Sequence, residues 1–158
     1  MKLINIGFGN LVAASRIVSI AVSYTHLDVY KRQPDGHSDA DVPVHALIDA
    51  ILGAAALGDI GHMFPDSDEK WKNADSIEML KSVWHKVQGL GYVLDNCDIT
   101  IIAQKPKIAA YILEMRKNIS AALSADISQV SVKATTEEGL GFTGQLQGIS
   151  SHAVVLLH

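Results

Sequence analysis

Apolar and polar positions follow two rhythms along this chain, and the changes of rhythm mark its elements. From Asp39 or Asp41 onward, Val44, Leu47, Ile48, Ile51 and Ala55, with Leu52 beside them, recur at helical spacing. That pattern predicts a helix with one face in the core. Ser38, Asp39 and Asp41 suit its cap and the positive end of its dipole. Pro43 falls in the first turn, where a missing N–H costs little, and Gly58 is the expected stop. Asp59 to Asp68 is a turn-rich polar loop, long enough to form the wall or lid of a site. Asp75 and Ser76 cap a second predicted helix to about Leu90, with Ile77, Leu80, Val83, Trp84 and Val87 facing inward and Gly89 and Gly91 ending it.

The period then shortens. Tyr92 to Gln104 reads as a long strand, with Ile99, Ile101 and Ala103 on one face and Thr100 and Ile102 on the other. After a short basic break, Lys105-Pro106-Lys107, a third helix is expected over Ile108 to Leu123. Val130 to Thr136 alternates as a strand, Glu137 to Gly148 is a Gly-rich loop, and Ile149 to Leu157 closes as a last strand. Helices and strands alternating with short links imply an α+β fold, a mixed β-sheet with helices packed on one face. Residues 1–33 read differently. Met1 to Phe8 alternates weakly, Gly7 and Gly9 punctuate it, and Ile17 to Ser23 is a second β-like run, so a hairpin is predicted there.

Composition narrows the class. A chain of 158 residues suits one domain with a real core, and 48% hydrophobic against 19% charged residues is the balance of a globular protein. A net charge of -4 gives no global basic field for nucleic acid, although a local basic patch stays open. Cys97 has no second cysteine to pair with and no base near it in sequence, so it reads as a small packed residue in a reducing compartment. No apolar run reaches the roughly 18 residues of a membrane span. Lys2 and the interrupting Arg16 make a poor secretory signal, so a cytoplasmic location is expected.

The densest chemistry lies in Gly36-His37-Ser38-Asp39-Ala40-Asp41-Val42-Pro43-Val44-His45. Two imidazoles and two carboxylates here run straight into an apolar helix, a rigid base for a metal or a phosphate. On a helix, His37 and His45 would stand about 80° apart and two turns along the axis, too far for one ion. One could ligate a metal while the other meets substrate, or both could be ordinary structural histidines. Thr135-Thr136-Glu137-Glu138, at a strand end and followed by Gly139, Gly141, Gly144 and Gly148, suits a diphosphate with Mg²⁺. It suits a plain β-turn as well. Lys105 and Lys107 fit a phosphate or a solvated helix start. Asp59, Asp66 and Asp68 fit sugar hydroxyls, a metal or turn caps.

From Gly36 onward the chain resembles the 2-C-methyl-D-erythritol 2,4-cyclodiphosphate synthase family of the non-mevalonate isoprenoid pathway. The resemblance rests on HSDADVPVHALIDAILGAAALGDIG, FPDSD, ADS, DITIIAQKPK and KATTEEGLGFTG, in that order. It implies a homotrimer with the active site between subunits. It also implies conversion of 4-diphosphocytidyl-2-C-methyl-D-erythritol 2-phosphate to the cyclic diphosphate, with release of CMP. His45 then resembles a ligand of zinc or another divalent ion, and Glu138 a ligand of Mg²⁺ or Mn²⁺ at the diphosphate. His37 and Thr136 resemble groups that stabilise the transition state, and Ser38 a substrate contact. Asp59, Ile60 and Gly61, with Phe64, Pro65, Asp66, Ser67 and Asp68, resemble the wall around the methylerythritol. Ala103, Gln104, Lys105, Pro106, Lys107, Ile108 and Ala109 resemble the cytidine segment. Thr135 and Phe142 resemble further substrate contacts. The implied reaction is an intramolecular phosphoryl transfer, in which the 2-phosphate oxygen attacks the β-phosphorus. The resemblance implies no nucleic-acid or membrane partner.

The first residues depart from that family. MKLINIGFGNLVAASRIVSI resembles the start of a bacterial extracellular-matrix gene regulator of the RemA type, and AVSYTHLDVYKRQ resembles a translated adapter peptide. Residues 1–33 are therefore expected to be an unrelated or artefactual head, and 34–158 the synthase domain lacking its first strands. The family's Gly-Phe-Asp-x-His motif supplies its other two zinc ligands. Here Gly7-Phe8 leads to Gly9 and Leu11, and Asp28-Val29-Tyr30 carries tyrosine in place of histidine. Gln145 stands where many members have arginine. Weak zinc binding and impaired turnover are expected. The competing expectations are a non-catalytic trimeric cytidine-nucleotide-binding protein and, on residues 1–20 alone, a DNA-binding regulator, which the negative charge disfavours.

Overall fold

The computed structural model describes residues 3–5, 11–13, 17–26, 41–65, 71 and 74–158. The main sheet has four strands in the order β3-β6-β4-β5, with β3 Ile17–His26, β4 Leu94–Ile102, β5 Val130–Thr135 and β6 Gly148–Leu157. The β4–β5 pair is parallel, while β6 runs antiparallel to both β3 and β4. The sheet is therefore mixed and the fold is α+β. One face carries Cys97, Ile99 and Ile101 of β4, flanked in register by Val155 and Ala153 of β6 and by Val130 and Val132 of β5, all buried. Two residues per repeat bring these side chains to one side, and the helices cover that side.

Helix α1 (Val42–Ala54) crosses β3, β4 and β6 and is backed by α3 (Ser76–Gly89). It is sandwiched between sheet and helix, so Ala46, Ala50 and Ala54 are buried along with Leu47, Ile48 and Ile51. The expected single apolar face is in fact most of the helix surface. Asp41 caps its start, accepting a bond from the Val44 N–H at 3.1 Å, and Asp75 caps α3 through the Ile77 N–H at 2.8 Å. Between them lies a short helix, α2 (Ile60–Met63). Helix α4 (Ile112–Ala122), entered through a 3-10 turn at Ile108–Tyr111, connects β4 to β5. Arg116 of α4 donates to the carbonyls of Val130 at 2.7 Å and Ile127 at 2.8 Å, tying the helix to the start of β5. A final short helix, α5 (Gly141–Gly144), interrupts the loop before β6.

Three local expectations are corrected. Helix α1 ends at Ala54 rather than Gly58. Ala56 takes the left-handed position at φ 55°, and the Ala56 and Leu57 amides donate back to Gly53 and Leu52 at 3.1 and 2.9 Å. That is a Schellman ending with alanine where glycine is usual, supported by partly buried Leu57. The Gly-rich loop after β5 and the polar loop after α1 each contain a helical turn. At the N-terminus the hairpin joins β1 (Leu3–Asn5) to β2 (Leu11–Ala13), and the Ile17 strand pairs instead with β6 along its whole length. No helix among the described residues is long and apolar enough to cross a membrane.

Candidate functional site

The residues singled out by sequence gather into two groups held by different elements. The first is built on α1. Most of this helix is apolar and buried, but His45 and Asp49, one turn apart, are only half-buried. His45 Nε2 lies 3.0 Å from the hydroxyl of Ser76, the fully buried first residue of α3. Asp49 accepts the Ile60 N–H at 2.8 Å, which pins the start of α2. Asp59 caps the same helix by accepting the His62 N–H at 2.7 Å. Burial pushes the Asp49 carboxyl above its usual range, the Ile60 bond opposes this, the Asp59 charge adds to it, and His45 opposes it. Asp59, Ile60 and Gly61 are thus presented as one rigid corner. Phe64 is buried and meets Trp71 edge-on, with ring centroids 4.7 Å apart at 77°. Exposed Pro65 follows it. His37, Ser38, Asp66, Ser67 and Asp68 lie outside the described residues.

The second group sits at the carboxyl ends of the parallel strands β4 and β5. Ile102 and Thr135 are register partners there. The Ala103 N–H continues the ladder by donating to the Thr135 carbonyl at 3.1 Å. This bond places the Ala103–Ala109 segment beside Thr135–Glu138. Ala103 is buried, Gln104 and Ile108 are half-buried, and Lys105, Pro106, Lys107 and Ala109 are exposed, with a cis Lys105–Pro106 peptide. The Thr135 hydroxyl donates to the Thr136 carbonyl at 3.3 Å, and the Thr136 hydroxyl to Glu138 Oε1 at 2.7 Å. Phe142, half-buried, lies on α5. Exposed lysines, hydroxyls and a carboxylate at one sheet end can accommodate a phosphorylated ligand with its counter-cation.

The donor sets differ in what they could hold. A catalytic zinc needs about three protein ligands in tetrahedral array. Among the described residues no group of three His, Cys, Asp or Glu side chains converges, and His45 is turned to Ser76. These residues alone do not fit zinc. A hard cation shared with phosphates takes only one or two carboxylates, and exposed Glu138 fits that demand. Cys97 is fully buried in β4, its thiol pushed up to about 12 by burial and by the Asp98 charge. It has no nucleophilic part. Sequence reading did not single out Asp49, and it read Ser76 as a helix cap rather than as the partner of His45. A carboxylate one helical turn after His45, in an otherwise apolar helix, was the available signal for Asp49.

Comparison with known proteins places this geometry. The model of the YgbB family matches residues 10–158. The chain is 60% identical over 128 residues to 2-C-methyl-D-erythritol 2,4-cyclodiphosphate synthase of Moorella thermoacetica, covering 81% of this chain and 78% of that protein. It is 58% identical over 122 residues to the enzyme of the same name from Clostridioides difficile, covering 77% and 76%. Among solved structures, the bifunctional IspDF from Campylobacter jejuni superposes with a TM-score of 0.85 at 38% identity. The match covers 90% of this chain and 42% of that one, so the present chain spans less than half of the bifunctional protein. A CDP complex of IspF from Plasmodium falciparum superposes with a TM-score of 0.75 at 32% identity, over 90% of this chain and 95% of that one.

Proposed function

Since this chain belongs to the YgbB family of 2-C-methyl-D-erythritol 2,4-cyclodiphosphate synthases, we propose that it binds that enzyme's cytidine-diphosphate-linked substrate and is a phosphorus–oxygen lyase forming the cyclic diphosphate with release of CMP. The observation that carries this reading is the Ala103–Thr135 backbone bond. It sets the cytidine segment, Ala103 to Ala109, against the phosphate segment, Thr135 to Glu138. The substrate is a nucleoside diphosphate ester, and these two segments meet its two halves. The corner of Asp59, Ile60 and Gly61, with Phe64 to Asp68, contacts the methylerythritol. His37 contacts the phosphate, and Ser38 and Phe142 are further substrate contacts.

The chemistry asks little covalent work of the protein. The 2-phosphate oxygen attacks the β-phosphorus in line with departing CMP, so positioning and charge neutralisation carry the rate. The Thr136 hydroxyl, turned from Glu138 to the substrate, and His37 donate to oxygens on which charge develops. Glu138 would hold a divalent cation, Mg²⁺ or Mn²⁺, which when bound would supply charge neutralisation for the diphosphate. No step is assigned to zinc at His45, because the described residues do not complete a zinc site. The two groups of site residues stand on different elements, and a cytoplasmic homotrimer would let one subunit's strand-end group meet another's α1 corner. Sedimentation of the purified chain tests the trimer.

Residues 1–33 are read as a foreign head. It takes the strand position beside β6, and the family match reaches back into it to residue 10, but it carries no Gly-Phe-Asp-x-His motif. That motif upstream of Gly36 at the source locus would support this reading, and residues 1–33 found there intact would overturn it.

The absence of a three-ligand cluster among the described residues favours weak zinc and impaired turnover within this reading, and a second reading in which the chain is a non-catalytic trimeric cytidine-nucleotide-binding protein. Calorimetric titration with CDP, metal analysis and CMP release from the diphosphocytidyl substrate test both readings together. Binding with slow CMP release is the expected result. Stoichiometric zinc with full turnover refutes the impairment, and no CDP binding refutes both readings.

A further inference from the structure

The loop between β5 and β6 places two adjacent carboxylates in opposite roles. Glu138, Gly139 and Gly141 all have left-handed backbone, at φ 50°, 86° and 64°. A glutamate adopts this conformation only when its surroundings impose it. Main-chain bonds supply part of the constraint. The Leu140 N–H donates to the Glu137 carbonyl at 2.8 Å, and the Gly144 N–H to the Leu140 carbonyl at 3.1 Å. Gly144 is seated so closely on Gly139 that a Cβ at 144 would lie 2.5 Å from the Gly139 carbonyl carbon. A further constraint is a side-chain bond across the loop. Thr143, only 1% exposed, donates its hydroxyl to Glu137 Oε2. That same oxygen lies 3.1 Å from where a Cβ on Gly141 would stand. The Glu137 carboxylate is therefore folded against the loop, while its neighbour Glu138 accepts from Thr136.

We propose that the Glu137–Thr143 bond is a latch, and that both are positioning residues which hold Thr136 and Glu138 in place for a phosphate chain and its divalent cation. Glu137 itself does not ligate the cation. This inference rests on the proposed function for its ligand, but the latch exists without one. Threonine at 143 supplies both the hydroxyl for the carboxylate and a methyl for the buried site. Valine would keep the shape and lose the bond.

The test is calorimetric titration of the full chain with CDP and Mn²⁺. Thr143→Val and Glu137→Ala are expected to weaken binding by about tenfold or more, the scale of losing loop preorganisation. Thr143→Ser and Glu137→Gln, which keep donor and acceptor, are expected to bind close to the parent. Glu138→Gln loses the cation-dependent part of the affinity. Parent-like binding by Glu137→Ala, or binding by Thr143→Ser as weak as by Thr143→Val, overturns the latch. So does a Glu137→Gln loss equal to that of Glu138→Gln. If Thr143→Val does not fold, Glu137→Ala at its exposed position decides. If the parent binds no CDP, the functional reading fails, and hydrogen exchange at the Leu140 and Gly144 amides decides the latch. Faster exchange in Glu137→Ala upholds it, and unchanged exchange removes it.

Discussion

Replacing Cys97 by alanine should reverse its effect on stability between neutral and alkaline pH. Cys97 lies in the central strand β4, in register with Val155 on one side and Val130 on the other, and no part of it reaches solvent. Burial raises its thiol from 9.0 to about 12, and the neighbouring Asp98 charge adds to the rise. A raised value means that the folded state keeps the proton. The associated stability is complete below the unfolded value of 9.0 and is lost as pH climbs through that value toward about 12. At about pH 10.5 the unfolded thiol is mostly ionised and the folded one mostly is not, a difference of about 2 kcal/mol against the folded parent. Cys97→Ala lacks this ionisation and loses only a buried sulfur, a cost of about 1 kcal/mol at any pH. The parent should therefore be the more stable at about pH 8, and the variant at about pH 10.5, by about 1 kcal/mol each way. Urea unfolding followed by circular dichroism at the two pH values reads the gap directly. Other ionisable groups are common to both proteins and cancel. A gap that stays constant with pH would refute the reasoning and reopen the thiol as a reactive group.

Three further outcomes follow from the same geometry. Asp49→Asn keeps an acceptor for the Ile60 N–H but removes a carboxylate whose raised value costs stability once it ionises. Thermal unfolding should find it at least as stable as the parent at neutral pH, with the advantage gone below 3.8. Arg116→Met leaves the Val130 and Ile127 carbonyls without their guanidinium donor, and the urea midpoint should report a loss of about 2–3 kcal/mol. Ser76→Ala removes the hydroxyl beside His45 Nε2. It should cost about 1–2 kcal/mol and shift the His45 ring resonances, while leaving those of exposed His85 in place.

The elements were legible where one local rule governs them. Asp75 caps α3 and Asp41 caps α1 as short polar residues before an apolar run should. The alternation from Val130 to Thr135 gave β5, with Val130 and Val132 buried. Legibility failed where a distant partner decides. Nothing local says that Ala56 will take the left-handed position, since glycine two residues later is the better former. The docking of Leu57 onto the core settles it. Likewise, Ile17 to Ser23 looks like one arm of a hairpin, but its partner is β6, more than a hundred positions away. The site divides the same way. The residues proposed for it could be named from motifs, but the contacts that organise them, His45 to Ser76, Asp49 to Ile60 and Thr135 to Ala103, bridge separations that no periodicity encodes.

The strand at the sheet edge shows why fold and chemistry can part company in this chain. β3 pairs with β6 from Ile17 opposite Leu157 to His26 opposite Gly148. Such a ladder asks mainly for main-chain donors and acceptors and for a residue pattern tolerant of a pleat. Many sequences meet that demand, and meeting it covers an edge of β6 that would otherwise be open to aggregation. A zinc site asks for particular side chains at particular register positions, and a single missing ligand leaves it incomplete. On the proposal that residues 1–33 are a foreign head, their strand restores the sheet and packs beside α1 without supplying the two ligands of the Gly-Phe-Asp-x-His motif. The strand-end group is exempt from that failure. Ala103, Thr135, Thr136 and Glu138 are joined by bonds within β4, β5 and the loop that follows, and none of these bonds passes through residues 1–33. Nucleotide binding should accordingly survive a change of head that turnover does not.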